Sequence, residues 1–236
     1  MTRQTDDPRL VLVERFFDGT GASYDFMVHA ATFGIDRLWK RRIVQLIPPH
    51  ARRVADLACG TGISTLAIAR HLPSCQVVGV ELREEYLAIA REKVRRQGLS
   101  ARVDLVLSRA EDYHSEQPFD CIASSYLAKY ADLPRLLDHA WDMLVPGGVF
   151  LMHDFTYPPK AYLVRLWRLY FWTLQRLGGA LFPPWRTIYQ ELPRLIESTR
   201  WTEELPAALR ERGFIDCRRQ DLTLYGSAIV TARRPA

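Results

Sequence analysis

Between Arg53 and His153 the chain alternates short apolar runs with segments of helical periodicity, and that alternation leaves few architectures open. Arg53–Ala58, Gln76–Val80, Val103–Leu107, Phe119–Ser124 and Val149–His153 read as strands. Helices are predicted from Ile63 to about His71, over Arg83–Gln97 closed by Gly98, and over Leu133–Leu144 stopped by Pro146-Gly147-Gly148. Strands alternating with helices pack as a parallel sheet covered on both faces. The order then changes. Residues 155–200 hold no clear strand and are rich in Trp, Tyr, Leu and Arg. A helix near Glu203–Arg212 follows, ended by Gly213, and then Phe214–Asp221 and Leu224–Thr231 read as adjacent strands. Their hairpin-like link implies one antiparallel strand in an otherwise parallel sheet. Residues 10–50 look helical, interrupted at Asp18-Gly-Thr-Gly21 and stopped by Pro48-Pro49. The expected division is an N-terminal helical cap at 1–50 and an α/β domain at 51–236, with a helical insertion at 155–200. An insertion there lies beyond the carboxyl ends of the strands, where open α/β sheets bind ligands.

A length of 236 residues suits one substantial domain, and 48% apolar with 25% charged residues excludes disordered and collagen-like chains. The excess of 32 Lys+Arg over 27 Asp+Glu, a net +5, reads as a solvated basic surface with a weak pull on anionic partners. Cys59, Cys75, Cys121 and Cys217 form no CxxC pair and fit free thiols in a reducing cytosol better than disulfides or a zinc site. No HxxH spacing occurs, so no metal is expected. Met1 to Pro8 is polar and acidic, without the apolar core of a signal peptide, and no run reaches the roughly 18 apolar residues of a membrane span. The expected location is cytoplasmic, with contact at a membrane surface left open.

The sharpest local signal is Asp56-Leu-Ala58-Cys-Gly60-Thr61-Gly62, where the first strand turns into the first helix of the sheet. Glycine allows a tight turn and a close approach of backbone to ligand. Glu81 ends the second strand, 21 positions after Gly60, where an acid hydrogen-bonds ribose hydroxyls in nucleotide-binding sheets. The pair points to an adenosine ligand. A dinucleotide fingerprint wants glycine where Thr65 stands, and the Gly-Lys-Ser/Thr of a phosphate loop is absent. Asp56, read as a carboxylate aimed into the site, repels a pyrophosphate and welcomes a cation. S-adenosylmethionine fits, with its ammonium, its sulfonium and no phosphate.

These residues resemble the class I S-adenosylmethionine-dependent methyltransferases, which implies a Rossmann-like, seven-stranded, mostly parallel sheet with one antiparallel strand. Several blocks resemble more narrowly the C-methyltransferases of ubiquinone and menaquinone biosynthesis: Tyr24-Asp25-Phe-Met, Phe33-Gly-Ile-Asp-Arg-Leu-Trp-Lys40, Ala90-Arg-Glu-Lys93, Phe119-Asp-Cys-Ile122, Leu144-Val-Pro-Gly-Gly148 and Tyr189…Leu192…Ile196-Glu-Ser198. The likeness spans about residues 23–232. It implies cofactor contacts at Thr61, Glu81, Arg109-Ala110 and Ser125, joined by Asp56, Ala58, Gly60, Gly62, Leu82 and Glu111 around the turn and the adenine. The chain departs from the family at Ile63, usually Asp, at Arg109, usually Asn, and at Lys129-Tyr130, where an Arg-Asn pair is thought to position the quinol oxygen. Lysine keeps the charge of arginine and loses its planar fork.

C-methylation of a phenol or quinol ring needs a deprotonated or charge-stabilised hydroxyl and an aligned methyl donor. Lys129 is the expected oxyanion stabiliser, and Tyr24, Tyr130, His153 and Asp154 are candidates to relay or accept the proton. His153 beside Asp154 also reads as a structural hydrogen-bonded pair, and Lys129 as a surface lysine. His29, His50, His71, His114 and His139 read as structural or solvent-exposed. In the helix expected over Ala161–Leu177, Arg165, Arg168, Gln175 and Arg176 form a polar stripe. That helix is either buried against the sheet or an apolar wall for an isoprenoid tail with arginines near anionic headgroups.

The expected partner is a small prenylated quinol or phenol, with peripheral membrane contact and a homodimer left open. Rival readings are methylation of a soluble phenol or secondary metabolite and a non-catalytic cofactor-binding scaffold. Nucleic-acid methylation, suggested by Lys40-Arg41-Arg42, Arg52-Arg53 and Arg95-Arg96, is disfavoured: Ser124-Ser125-Tyr126-Leu127 stands where base-amine enzymes often carry Asn/Asp-Pro-Pro-aromatic.

Overall fold

The computed structural model describes residues 7–236, so the polar segment Met1–Asp6, on which the reading of an absent signal peptide partly rests, lies outside the described residues. α1 (Pro8–Phe17) starts where Asp7 accepts a hydrogen bond from the Arg9 amide at 2.9 Å, with proline at a first-turn position that needs no amide donor. α2 (Tyr24–Ala31) and α3 (Asp36–Leu46) follow, and then the alternating part begins. It runs β1 (Arg53–Leu57), α4 (Ile63–His71), β2 (Gln76–Glu81), α5 (Glu84–Arg96), β3 (Val103–Leu107), β4 (Phe119–Ser125), α6 (Leu133–Met143) and β5 (Leu144–Phe155). The insertion holds α7 (Ala161–Thr173), a wide turn at Leu174–Gly178, the short α8 (Gly179–Leu181) and α9 (Arg186–Ser198). α10 (Trp201–Arg212), β6 (Ile215–Leu222) and β7 (Ser227–Arg233) close the chain.

The seven strands form one sheet in the order β3-β2-β1-β4-β5-β7-β6. β1 to β5 pair in parallel, and β7 runs antiparallel to both neighbours, as the hairpin pattern predicts. Side chains alternate between the faces. Leu57, Val80, Ile122 and Phe150 pack under α6 and α10, while Val54, Val77, Cys121 and Val149 pack under α4 and the end of α3. The strand order reverses between β1 and β4, which opens a crevice at their carboxyl ends. Phe16, Met27, Tyr130, Trp185, Ile188 and Tyr189 form a separate apolar cluster over that crevice, so α1, α2 and α9 cover it together.

The helix expected over Ala161–Leu177 ends as α7 at Thr173, and two strand boundaries also differ from those the sequence predicts. Pro146-Gly147-Gly148 is a bulge inside β5 rather than a break before it. The pairing passes from Phe119↔Leu144 to Cys121↔Val149, and Gly147 at φ +78° lets the extra residues loop out without ending the strand. β7 starts at Ser227, not Leu224, because Thr223, Leu224 and Tyr225 all take positive φ in the hairpin turn. Trp39 Nε1 donating to Thr223 Oγ1 at 2.8 Å and Thr156 Oγ1 donating to the Tyr225 carbonyl at 2.6 Å hold that turn.

Gly62 sits at φ +83°, and a Cβ there would lie 3.1 Å from the Ala90 Cβ on α5. Gly62→Ala is therefore expected to lower stability by roughly 2 kcal/mol, combining left-handed backbone cost with overpacking. Urea denaturation reads it, and unchanged stability would contradict the packing described.

Candidate active site

The turn after β1 bends through Ala58 and Gly60, both at φ +58°. A Cβ on Gly60 would meet nothing nearer than Tyr86 Cδ1 at 3.9 Å, so the turn presents open backbone to the crevice. Glu81, at the end of β2, clamps it: one carboxylate oxygen accepts the Gly60 amide at 2.9 Å and the other accepts the Arg83 amide at 2.9 Å. Burial raises the Glu81 pKa above the usual carboxylate value, and these backbone donors oppose the rise. A cavity of about 100 Å³ lies against this clamp, lined by Ala58, Gly60, Glu81, Leu82, Arg109, Ala110, Glu111, Ser125, Tyr24 and Tyr130. It continues past Tyr24, Gly60, Ser125 and Tyr126 into a chamber of about 30 Å³ that adds Thr61, Val28 and Lys40. An acid at one wall, an open glycine turn and no phosphate loop suit an adenosine ligand without phosphates.

The N-terminal helices roof this cavity through polar contacts. Asp25 accepts from Thr61 Oγ1 and pairs with Lys93, whose Nζ also donates to the Thr61 carbonyl at 2.9 Å. The Gly21 amide donates to Glu85 at 2.7 Å, and Arg83 pairs with Asp18 at 2.9 Å. Arg109 is held between Glu111 at 3.0 Å and Asp7 at 2.7 Å, so its guanidinium ties the start of α1 to the cavity edge.

Four expectations need correction. Asp56 does not project into the cavity: it is buried beneath the turn, where it accepts from Thr65 Oγ1 at 2.6 Å, and burial pushes its pKa up to about 6. Gly62 lines neither chamber and instead lets α4 approach α5. His153 and Asp154 are not a bonded pair, because adjacent strand residues point to opposite faces. His153 Nδ1 meets Ser125 Oγ at 2.9 Å, whereas Asp154 takes the Lys129 ammonium. Lys129 is not on the surface: its side chain is 2% exposed, that of Asp154 0%, and burial of Lys129 lowers its pKa against the pull of Asp154. Lys129, His153 and Asp154 line neither of the two chambers at the glycine turn nor the apolar cavity described below.

Two residues at the junction escaped the sequence reading. Tyr126, in left-handed conformation at φ +68°, lines both chambers and stacks on Phe155 at 4.8 Å, with its hydroxyl buried and unpartnered among the described residues. Its only sequence signal is its place directly after β4. Lys40 reads in sequence as part of a basic cluster, yet it is buried, and its Nζ donates to Ser125 Oγ at 2.6 Å and sits 4.4 Å from the Tyr126 ring centre. Ser125 Oγ can then donate its own hydrogen bond to His153 Nδ1, which places the ring proton on Nε2. Burial, with Lys40 and Lys129 nearby, keeps His153 well below its ordinary pKa and neutral.

Beyond Val28, which also lines the smaller chamber, opens an apolar cavity of about 460 Å³. Its walls come from α2, α7 and α9, including Met27, Leu163, Trp167, Phe171, Ile188 and Leu192. Its rim holds Phe33, Leu166 and Leu224, which are 80%, 55% and 66% exposed. α7 is therefore not buried against the sheet: one face lines the cavity, and Tyr162, Leu169 and Trp172 stand in solvent beside Arg165, Arg168 and Arg176. Among the described residues no group of three or more His, Cys, Asp or Glu is arranged to hold a metal, and no helix is long and apolar enough to cross a membrane.

Sheet order, glycine turn and acidic clamp together define a class I S-adenosylmethionine-dependent methyltransferase fold. Solved structures agree on the fold. The apo S-adenosylmethionine-dependent methyltransferase SibL matches with TM-score 0.60 and 21% identity over 87% of this chain and 57% of its own. Phosphoethanolamine N-methyltransferase 2 of Haemonchus contortus, solved with S-adenosyl-L-methionine, matches with TM-score 0.62 and 17% identity over 84% of this chain and 53% of its own. Residues 2–233 match the model of the ubiE/COQ5 methyltransferase family, and the chain belongs to that family. It is an S-adenosylmethionine-dependent methyltransferase. It is 31% identical to the demethylmenaquinone methyltransferase of Thermus thermophilus over 93% of this chain and 100% of that one. It is 27% identical to the ubiquinone/menaquinone biosynthesis C-methyltransferase UbiE of Geotalea daltonii over 94% and 96%.

Lys129→Met leaves the buried Asp154 carboxylate with only the backbone amides of Lys129 and Phe155 as donors and no counter-charge, and is expected to cost about 3–5 kcal/mol of stability, most of it recovered in Lys129→Met/Asp154→Leu. Equal losses in the single and double variants, read by denaturant melts, would contradict a buried pair. For Asp56 the folded pKa of about 6 lies above the ordinary 3.8, so its contribution to stability is present at low pH and is lost as pH rises through about 6. Asp56→Asn, which cannot ionise, should thus gain on the wild type between about pH 4 and pH 6. Parallel stability curves over that range would contradict the assignment.

Proposed function

We propose that the protein C-methylates the ring of a prenylated quinol or phenol. The observation that carries this reading is the apolar cavity of about 460 Å³ that meets the cofactor-side chambers at Val28, with Tyr126 beside the junction. A soluble phenol has no use for an apolar channel of that size, whereas an isoprenoid tail buries its surface there. The names carried by the relatives from Thermus thermophilus and Geotalea daltonii point to the same substrate class.

In this reading Glu81 holds the ribose hydroxyls, Arg109, Ala110, Glu111 and Leu82 border the adenine, and Ala58, Gly60, Thr61 and Ser125 receive the methionine end. The cofactor, when bound, supplies an electrophilic methyl on sulfonium and leaves as a neutral thioether. The chain's own task is to align the acceptor ring, exclude water and stabilise the ring oxygen as it loses its proton. Tyr24 and Tyr130 line the cofactor cavity, and burial raises both their pKa values, so both keep their protons and serve as hydrogen-bond donors to that oxygen. Lys129 and Asp154 act as a buried pair that fixes the loop after β4, not as the oxyanion contact.

The exposed rim of Phe33, Leu166 and Leu224, with Trp172 and the α7 arginines, is the surface by which the protein meets an anionic bilayer and draws the substrate in. Sedimentation with anionic vesicles should exceed that with neutral ones and fall in Phe33→Glu/Leu166→Glu. Binding to neither vesicle would refute the membrane contact. Leu163→Trp, which fills the cavity wall, should raise KM for a long-tailed quinol by about tenfold while leaving a short-tailed analogue near wild-type. Equal effects on both acceptors would contradict the tail-channel reading.

A further inference from the structure

Four cations line the two cofactor-side chambers among the described residues: Arg9, Arg83, Arg109 and Lys40. Three of them are occupied. Arg9 pairs with Asp132 at 3.0 Å, Arg83 with Asp18 at 2.9 Å, and Arg109 with both Asp7 and Glu111. Lys40 has no carboxylate within 4.0 Å among the described residues. Its ammonium gives one hydrogen bond, to Ser125 Oγ at 2.6 Å, and lies 4.4 Å from the Tyr126 ring centre. An ammonium carries three donors, so two remain for a ligand.

The small chamber around Lys40 is otherwise uncharged, lined by Tyr24, Val28, Thr61, Ser64, Ser125 and Tyr126 among others. Burial alone works against a cation there, and it pushes the Lys40 pKa down to about 8 although Asp56, Asp36 and Asp154 pull the other way. A buried cation kept without a partner is costly unless something anionic joins it. S-adenosylmethionine has one anionic group, the α-carboxylate of its methionine arm, at the end remote from the adenine. With Glu81 read as the ribose residue and Arg109–Glu111 as the adenine border, the remote end reaches the chamber of Thr61 and Lys40. We propose that Lys40, contributed by α3 of the N-terminal helices, is the counter-ion of the cofactor's α-carboxylate.

The assignment rests on the cofactor orientation given under the proposed function. It makes α3 part of the cofactor site, and it joins occupancy of that site to the Lys40–Ser125–His153 chain beneath Tyr126. Ser125 then touches both the ligand chamber and the cation that holds the ligand, so it acts as a spacer setting the ammonium's position.

Two ligands separate this role from a structural one. S-adenosylhomocysteine carries the α-carboxylate, and 5′-methylthioadenosine keeps the adenosine and sulfur but lacks the amino-acid arm. Isothermal titration of the full-length wild type, Lys40→Met and Lys40→Arg with both ligands reads the difference directly. Lys40→Met should weaken S-adenosylhomocysteine by at least about tenfold while leaving 5′-methylthioadenosine within about twofold, and Lys40→Arg should recover most of the loss. Equal weakening of both ligands, or no weakening of either, would overturn the assignment. Binding of 5′-methylthioadenosine by the wild type reports the adenosine site independently, so a failure of the orientation and a failure of the Lys40 role are distinguishable. A matching thermal melt for Lys40→Met and wild type, both without ligand, keeps a folding defect from passing as lost recognition.

Discussion

Glu81 accepting the Gly60 amide is the contact on which the rest of the site depends. It ties the end of β2 to the turn after β1, beside the point between β1 and β4 where the strand order reverses, and so fixes the β1 wall of the crevice. The carboxylate remains buried because two backbone amides satisfy it. The rest of the turn is held from other sides: Thr61 is held by Asp25 and Lys93, and Gly62 lets α4 lie close to α5.

The roof has a different physical character. α1, α2 and the turn between them meet the α/β part through ion pairs and hydrogen bonds at the cavity edge and through aromatic pairs of Phe16, Phe17 and Tyr24 with Tyr86 and Tyr130, and meet α9 through an apolar cluster around Phe16 and Trp185. The polar contacts at the edge favour one geometry, while the apolar cluster joins the roof both to the insertion and to Tyr130 in the loop after β4. The cofactor-side chambers and the apolar cavity share Val28 because α2 passes between them. A single helix thereby borders both the chamber at the glycine turn and the apolar cavity.

The sheet was legible in the sequence because strand and helix periodicities alternate cleanly there, and the ends of β1 and β2 follow from Asp56–Gly62 and Glu81. The bulge in β5 was not, since Pro-Gly-Gly reads locally as a stop and only pairing with β4 makes it a bulge. Cofactor-side residues such as Ala58, Glu81 and Ala110 could be named from the turn and its resemblance. The catalytic candidates could not be sorted, because burial and pairing decide what a charged side chain does. Lys129 reads as available and is paired with Asp154, whereas Lys40 reads as one of a basic run and stands buried with no carboxylate within 4.0 Å among the described residues. Apolar composition likewise could not say whether α7 faces the sheet or solvent; it borders a cavity on one face and is open on the other.

The most direct test of the central claim supplies the purified protein with ¹³C-methyl S-adenosylmethionine and a chemically reduced extract of membrane lipids. The account predicts label in the prenylated quinone fraction, with a carbon resonance in the aromatic C-methyl region. Label found only as methoxyl carbon, or only in soluble phenols added to the same reaction, would contradict it.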